Sequence, residues 1–132
     1  MKKYLCLAVI FGCTTSIEGP TKVDLASGRD VNTALHWRFD GTRWVATGRN
    51  FLVFDLGLPE GECLESVRIS GSGAFHLEIN KTTPAGTSNV ATADGYALEG
   101  LAYIVEAGVL FLSIQAGAPG DTVTGLEFTT CQ

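Results

Sequence analysis

Residues 51–57, with the sequence FLVFDLG, constrain the fold of this chain more than any other segment. Four apolar residues follow one another without a polar residue, which is typical of a strand that is buried on both faces. Turn-forming residues stand on both sides of the segment, at 48–50 and at 58–61. Such a strand needs other strands on which to pack, so this segment predicts a β-sheet core.

Alternation of apolar and polar residues predicts the next pair of strands. Leu35, Trp37 and Phe39 alternate with polar residues, which is the pattern of a half-buried strand. Asp40-Gly41 follows and predicts a hairpin turn. The chain then returns as a partner strand at residues 43–46.

Further strands are predicted from the same alternation, and about eight short strands are expected in all. Residues 81–95 contain one proline and two glycines and are predicted as mostly loop. Many short strands without a helix predict an all-β fold, an antiparallel β-sandwich or jelly roll. The remaining predicted strands are 64–70 with Val67 and Ile69 inward, 75–80, a second hairpin of 101–105 and 109–115, and 123–130 with Leu126 and Phe128 inward.

The N-terminal residues resemble a bacterial lipoprotein signal peptide. Lys2 and Lys3 precede an apolar run at 4–11, which is the pattern of a secretory signal. Gly12 stands directly before Cys13, and the resemblance implies that residues 1–12 are removed and that Cys13 is lipidated. The alternative is ordinary signal cleavage a few residues later, with Cys13 removed. Both readings predict an exported protein, in the bacterial cell envelope or outside the cell.

The domain organisation follows from this interpretation. Residues 13–28 are polar and predict a tether or a first edge strand, and residues 29–132 predict the β-sandwich domain. No apolar run reaches the roughly 18–20 residues of a membrane helix, so any membrane attachment is expected through a lipid anchor only.

The four cysteines support export. Cys6 would leave with the signal and Cys13 would carry the lipid, which leaves Cys63 and Cys131 for one disulfide in an oxidising compartment. The alternative is a pair of unpaired buried thiols in a cytosolic protein. The formal net charge is -5 over 132 residues, which argues against a nucleic-acid partner because such binding needs a basic face.

Two segments resemble the galactose-binding-like jelly roll, in particular discoidin-type and related carbohydrate-binding modules. Residues 51–57 followed by 64–69 are similar to that family's apolar strand ending in Asp-Leu-Gly and its next strand ending in Val-x-Ile. Residues 125–131 look like its closing strand and terminal cysteine. The chain is shorter than a usual discoidin module, and Cys63 lies mid-chain where the family usually has a partner cysteine near the start of the domain. The resemblance implies ligand binding through loops at one end of the sandwich, without catalysis.

The first hairpin is the predicted ligand site, because both tryptophans and three arginines of the chain lie in or beside it. Sugar recognition uses an apolar aromatic surface with a few polar groups around it. The alternative is that Trp37 and Trp44 are core residues and the arginines a solvated face; the register of Trp37 with Leu35 and Phe39 favours the core for Trp37. The predicted site residues are His36, Arg38, Asp40, Arg43, Trp44 and Arg49.

No cofactor is expected, and metal binding has little support. His36 and His76 are the only histidines, and two fall short of the three protein ligands usual for catalytic zinc, so solvated surface histidines are the simpler reading. Asp24, Asp30 and Asp94 could bind calcium, although nothing resembles an EF-hand loop and ordinary turn and cap aspartates are the alternative.

The sequence therefore predicts a non-catalytic exported binding module, a membrane-anchored lipoprotein that recognises a glycan or another envelope component. The alternative is a structural or assembly subunit of the cell envelope that makes protein–protein contacts. An enzyme is not predicted, because no Ser/His/Asp set, phosphate loop or nucleophile elbow has the structural context that its chemistry needs.

Overall fold

The computed structural model describes residues 19–30, 37–48 and 51–131. These residues form two antiparallel sheets packed face to face, with one short 3₁₀ helix at Leu25–Ser27. The predicted all-β antiparallel sandwich is confirmed. The described residues form twelve strands instead of about eight, because several short bridges of two residues extend the sheet edges.

The first sheet has seven strands and holds the predicted first hairpin and the closing strand. Its order is β10-β6-β12-β4-β3, with β1 paired to β12 and β9 paired to β6. Its strands are β1 (Thr21–Lys22), β3 (Trp37–Phe39), β4 (Trp44–Ala46), β6 (Cys63–Ser72), β9 (Ala97–Leu98), β10 (Tyr103–Ile104) and β12 (Thr122–Thr130).

The second sheet has five strands in the order β2-β5-β11-β7-β8, all antiparallel. The FLVFDLG segment supplies β5, and three of its residues are buried as predicted. The strands of this sheet are β2 (Arg29–Asp30), β5 (Phe51–Asp55), β7 (His76–Thr83), β8 (Gly86–Asp94) and β11 (Val109–Gln115).

The core lies between the two sheets and follows from the alternation. Successive residues of a strand point to opposite faces, so one set from each strand meets the facing sheet. The predicted inward residues of β6 and β12 are buried, which confirms those two assignments. The largest buried side chains that share this core are Trp37, Leu52, Phe54, Leu64, Leu77, Ile79, Leu112 and Ile114.

Two predictions about the second half of the chain are wrong. Residues 81–95 are not mostly loop: β7 continues to Thr83, and β8 returns as its hairpin partner. Residues 101–115 do not form a hairpin, because β10 pairs with β6 in one sheet whereas β11 pairs with β5 and β7 in the other. The segment between them therefore crosses from one sheet to the other.

The predicted Cys63–Cys131 disulfide is present. The two Cα atoms are 5.3 Å apart, and the bond closes a loop with a sequence separation of 68. The peptide N–H of Cys131 also donates to the carbonyl of Cys63 at 2.9 Å. The bond joins the start of β6 to the end of β12, so we name this end of the sandwich the disulfide end.

The opposite end of the sandwich, which we name the far end, is set by the strand directions. β6 runs from Cys63 to Ser72, and β7 starts after only three residues at His76, so His76 lies at the far end. Gln115 of β11 pairs with His76 and lies there too. The described chain enters at β1, where Thr21 pairs with Phe128 near the end of β12, so it enters from the disulfide end.

Several predictions lie outside the described residues. They concern the signal segment 1–12, the lipidation of Cys13, and the two hairpin residues His36 and Arg49. In residues 19–28 the structure has a two-residue edge strand and the 3₁₀ helix, both against β12. No helix among the residues described here is long and apolar enough to cross a membrane.

Candidate functional site

The two tryptophans of the predicted ligand hairpin belong to the core. Trp37 is 2 % exposed and Trp44 is 8 % exposed. The indole N–H of Trp44 donates to the carbonyl oxygen of Leu25 at 2.7 Å, and its ring packs at 5.2 Å from that of Phe39. Because its faces are covered, Trp44 does not offer a sugar the open aromatic surface that the sequence suggested.

Asp40 and Arg43 of the same hairpin build its turn. Oδ1 of Asp40 accepts from the backbone N–H of Thr42 and of Arg43, both at 2.9 Å. Oδ2 pairs with the Arg43 guanidinium at 3.2 Å. The backbone donors, and then the Thr42 hydroxyl, hold the pKa of Asp40 well below its usual range. These contacts explain why the Asp-Gly pair forms the predicted turn, and they occupy the carboxylate internally.

Of the other predicted hairpin residues, the structure describes only Arg38. Arg38 is exposed on β3, between a buried and a half-buried neighbour. The positions of His36 and Arg49 lie outside the described residues. Among the described residues of the hairpin, both tryptophans are buried, and the half-buried Phe39 packs on Trp44. The charged side chains of this hairpin therefore have no open aromatic ring beside them in the described part of the chain.

The three aspartates considered for calcium have separate local roles. Asp24 caps the 3₁₀ helix by accepting from the N–H of Ala26 at 3.0 Å. Asp30 accepts from the N–H of Trp37 at 2.9 Å, and Asp94 contacts His76 at 2.8 Å. In the described part of the chain, no three His, Cys, Asp or Glu side chains form a group that could hold a metal ion.

The outer surface of the five-stranded sheet carries a different and denser cluster of functional groups. The registers set His76 beside Gln115 and Asp94, and Glu78 beside Ser113 and Thr92. Since inward residues such as Leu77 alternate with them, these side chains share the outer face. We name this surface the polar face; it consists of Phe51, His76, Glu78, Asn80, Asn89, Thr92, Asp94, Phe111 and Gln115. Val53 and Ser113 have the same orientation but are buried.

Hydrogen bonds connect the polar side chains across this face. The imidazole of His76 contacts Asp94 through Nδ1 at 2.8 Å and Glu78 through Nε2 at 3.0 Å. The amide of Asn80 donates to the other Glu78 oxygen at 3.3 Å, and the amide of Asn89 donates to Asn80 at 3.0 Å. Each side chain is thus held by its neighbour, so the groups are already oriented before any ligand arrives.

The two carboxylates raise the pKa of His76, the hydrogen bond with Asp94 contributing most and that with Glu78 next. A neutral imidazole has one N–H donor and one acceptor nitrogen, whereas two carboxylate partners require two donors. The geometry therefore favours the protonated imidazolium. Nε2 faces a carboxylate and not a hydroxyl, so His76 is not arranged to activate a serine nucleophile.

A shallow depression continues the polar face at the far end. Its volume is about 370 Å³. Phe75 lines it and is buried, with the Tyr96 ring edge-on to the Phe75 ring at 5.5 Å. It is lined by Ala74, Phe75, His76, Asp94, Gln115, Ala116 and Gly117.

Aromatic side chains border the polar groups on the same surface. Phe111 lies beside Asn80 in the register, and Phe51 lies beside Gln115. Both rings are half-buried. The face therefore combines apolar ring surface with amide, hydroxyl, imidazole and carboxylate groups, which together can donate to and accept from a ligand rich in hydroxyls.

Apolar and polar residues alternate in the predicted strand 75–80, which puts His76, Glu78 and Asn80 on its outer side, but this pattern did not assemble the site. The missing residues are Phe111 and Gln115 of β11, which are half-buried, whereas residues 112–114 between them are buried. Alternation alone could have put them outward. Their position beside the residues of β7 depends on the pairing of β11 with β7, which alternation does not predict.

Comparisons of the chain with protein-family models, with curated proteins and with solved structures found no match. The resemblance to discoidin-type modules therefore stays a prediction.

Proposed function

We propose that this chain is a non-catalytic, exported carbohydrate-binding module of the bacterial cell envelope, and that the polar face is its binding surface. The observation that carries the proposal is the pre-oriented network from Asp94 through His76 and Glu78 to Asn80, bordered by Phe111. Neutral sugars are bound by polar groups at fixed positions beside an apolar surface. The proposed binding site therefore differs from the one that the sequence predicted. It lies on the outer face of the five-stranded sheet and not on the first hairpin.

The placement of this surface suits a lipid-anchored protein. The described chain enters at the disulfide end, whereas the depression beside His76 and Gln115 lies at the far end. An anchor at Cys13 would hold the domain from the first end and leave the second directed away from the membrane. The intact mass of the chain, expressed in a bacterial host with its own signal, tests this anchor. A mature form that starts at Cys13 with a lipid adduct is expected, and an unprocessed chain would contradict it.

The binding experiment is a titration of the full chain with a panel of purified envelope polysaccharides, followed by calorimetry on those that bind. We expect Gln115→Ala and Phe111→Ala each to weaken binding by about tenfold or more, since each removes one hydrogen-bonding or stacking group. Arg68→Ala is the matched control, because Arg68 is an exposed strand residue of the other sheet.

The comparison of variants decides between the possible results. Melting temperatures within a few degrees of the parent chain must accompany the loss of binding, because Phe111 is half-buried. Equal loss in Arg68→Ala would contradict a site on the polar face. No binding by folded protein to any polysaccharide of the panel would overturn the glycan proposal and favour the alternative, an envelope assembly subunit that makes protein contacts.

A further inference from the structure

One long edge of the five-stranded sheet has no neighbouring strand within residues 19–30, 37–48 and 51–131. β8 spans nine residues, Gly86–Asp94, and pairs with β7 on one side only among the residues described. Its first four residues are exposed, and three of the remaining five are half-buried. A strand at a sheet edge presents a row of backbone N–H and C=O groups that can pair with another strand.

The other edges of the described sheets are much shorter. β2 and β10 have two residues each, and β3 has three. Natural proteins protect long edges with lysine, proline or inward charges. β8 has no lysine, arginine or proline, and its single charge is Asp94 at its last position. One bulge, at Val90, is the only such device along its length.

We propose that two copies of this chain pair through β8, antiparallel and across a two-fold axis. Their five-stranded sheets then join into one sheet of ten strands. A second copy suits this edge better than a strongly charged peptide, because the strand is nearly uncharged and complementary to itself in the register derived below.

The bulge fixes that register. Thr87 and Asn89 lie opposite outward residues of β7 before the bulge, and Thr92 and Asp94 do so after it. Paired strands must place outward side chains opposite outward side chains. The register that does so over the whole strand pairs Thr87 with Asp94 of the second copy, and Asn89 with Thr92.

This register also separates the like charges. Each Asp94 faces a threonine and not the other Asp94. The Asp94 side chain is 87 % exposed, so its contact with His76 leaves it accessible to a group on the facing strand. The central pair is Val90 with Ala91, which are both half-buried. A charge placed at position 87 would therefore meet Asp94 of the second copy twice in each dimer.

The experiment is sedimentation equilibrium of the full chain at low ionic strength, in density-matched detergent, over a wide concentration range. Thr87→Lys and Thr87→Glu are the two test variants. Both remove the same exposed hydroxyl and its 2.9 Å contact with Thr82, so they differ mainly in charge. For two facing pairs, we expect the lysine variant to tighten and the glutamate variant to weaken dimerisation, each by about 2-fold to 30-fold.

The parent chain is expected to show a concentration-dependent dimer, with the weak affinity of a small interface. A parent chain that stays monomeric at all concentrations overturns the proposal, and would be the result if an N-terminal segment of the chain covered β8. Equal dissociation constants for the two Thr87 variants also overturn it, since they would locate the dimer contact elsewhere. Neither result depends on whether the polar face binds a glycan.

Discussion

At the scale of single residues, His76 is the most informative side chain of the polar face. It stands between Asp94 and Glu78, and its Nδ1 and Nε2 both contact carboxylate oxygens. A histidine in this position couples the ordering of the face to its own protonation, because the imidazolium supplies two donors and the neutral ring only one.

The stability of the domain should therefore depend on pH through His76. Its pKa is raised above 6.5 in the folded chain, so the imidazolium stabilises the fold fully below about pH 6.5. That contribution is lost as the pH rises through the higher pKa of the folded state. We expect the free energy of unfolding, measured by urea titration at a series of pH values, to decrease from about pH 6.5 upward.

His76→Gln should flatten this dependence, and His36→Gln is the matched control because it removes the other histidine of the chain. An NMR titration of the ring protons would give the pKa of His76 directly. A value at or below 6.5, or an unchanged pH slope in His76→Gln, would contradict the prediction.

At the scale of the strands, the contact of β6 with β12 allows no side chain at Gly71. The φ of Gly71 is 154°, and a Cβ built there would overlap the carbonyl oxygen of Thr122. Gly71→Ala must therefore push β12 away from β6. We expect a loss of about 2–4 kcal/mol of unfolding free energy, the range of severe packing changes.

The control for this prediction is Gly125 in β12, the strand that pairs with β6. A Cβ at Gly125 would meet Ser70 at 3.4 Å, which is close to ordinary contact, and Gly125 has no positive φ. Gly125→Ala should change the unfolding free energy by less than about 1 kcal/mol. Similar losses in the two variants, measured by chemical denaturation, would refute the steric explanation.

The strand scale also shows what the sequence could and could not predict. An uninterrupted apolar run located β5, and alternation located β6 and β12, because buried apolar residues leave a local pattern in the sequence. β8 was missed because its Thr, Ser and Asn residues lie on an exposed edge, where no apolar pattern is required. The strands β10 and β11 were both predicted, but alternation does not show which strands each of them pairs with.

The candidate site failed to emerge from the sequence for the same reason. Trp44 is aromatic and follows a turn, and only the packing shows that its indole is covered and bonded to Leu25. Gln115 and His76 are far apart in sequence and meet only through the β7–β11 register. Sites built across strands depend on long-range pairing, on which a local pattern carries no information.

At the scale of the whole molecule, the disulfide closes most of the domain into one loop, with a sequence separation of 68. Such a bond stabilises mainly by restricting the unfolded chain. Replacing Cys63 and Cys131 together by serine should lower the free energy of unfolding by about 2–4 kcal/mol. Urea titrations of the double variant and of the parent chain, with and without reductant, measure this loss.

The parent chain in reductant should behave like the double variant in either condition. If the reduced parent chain and the double variant have the same free energy of unfolding, the whole loss of stability comes from the missing disulfide. A double variant as stable as the oxidised parent would contradict the prediction. If the parent chain lost stability in reductant while the double variant stayed as stable as the oxidised parent, the loss would come from the free thiols and not from the missing bond.

The two-residue strand β1 gives the molecule a defined response to mechanical load. A pull on the chain at Gly19 acts on Thr21 and Lys22, which are held to β12 side by side near its end. This pair of two residues is much shorter than the β6–β12 ladder behind it, which is also closed by a covalent bond. We therefore expect force on the chain at Gly19 to release the two residues of β1 first, while the sandwich stays folded.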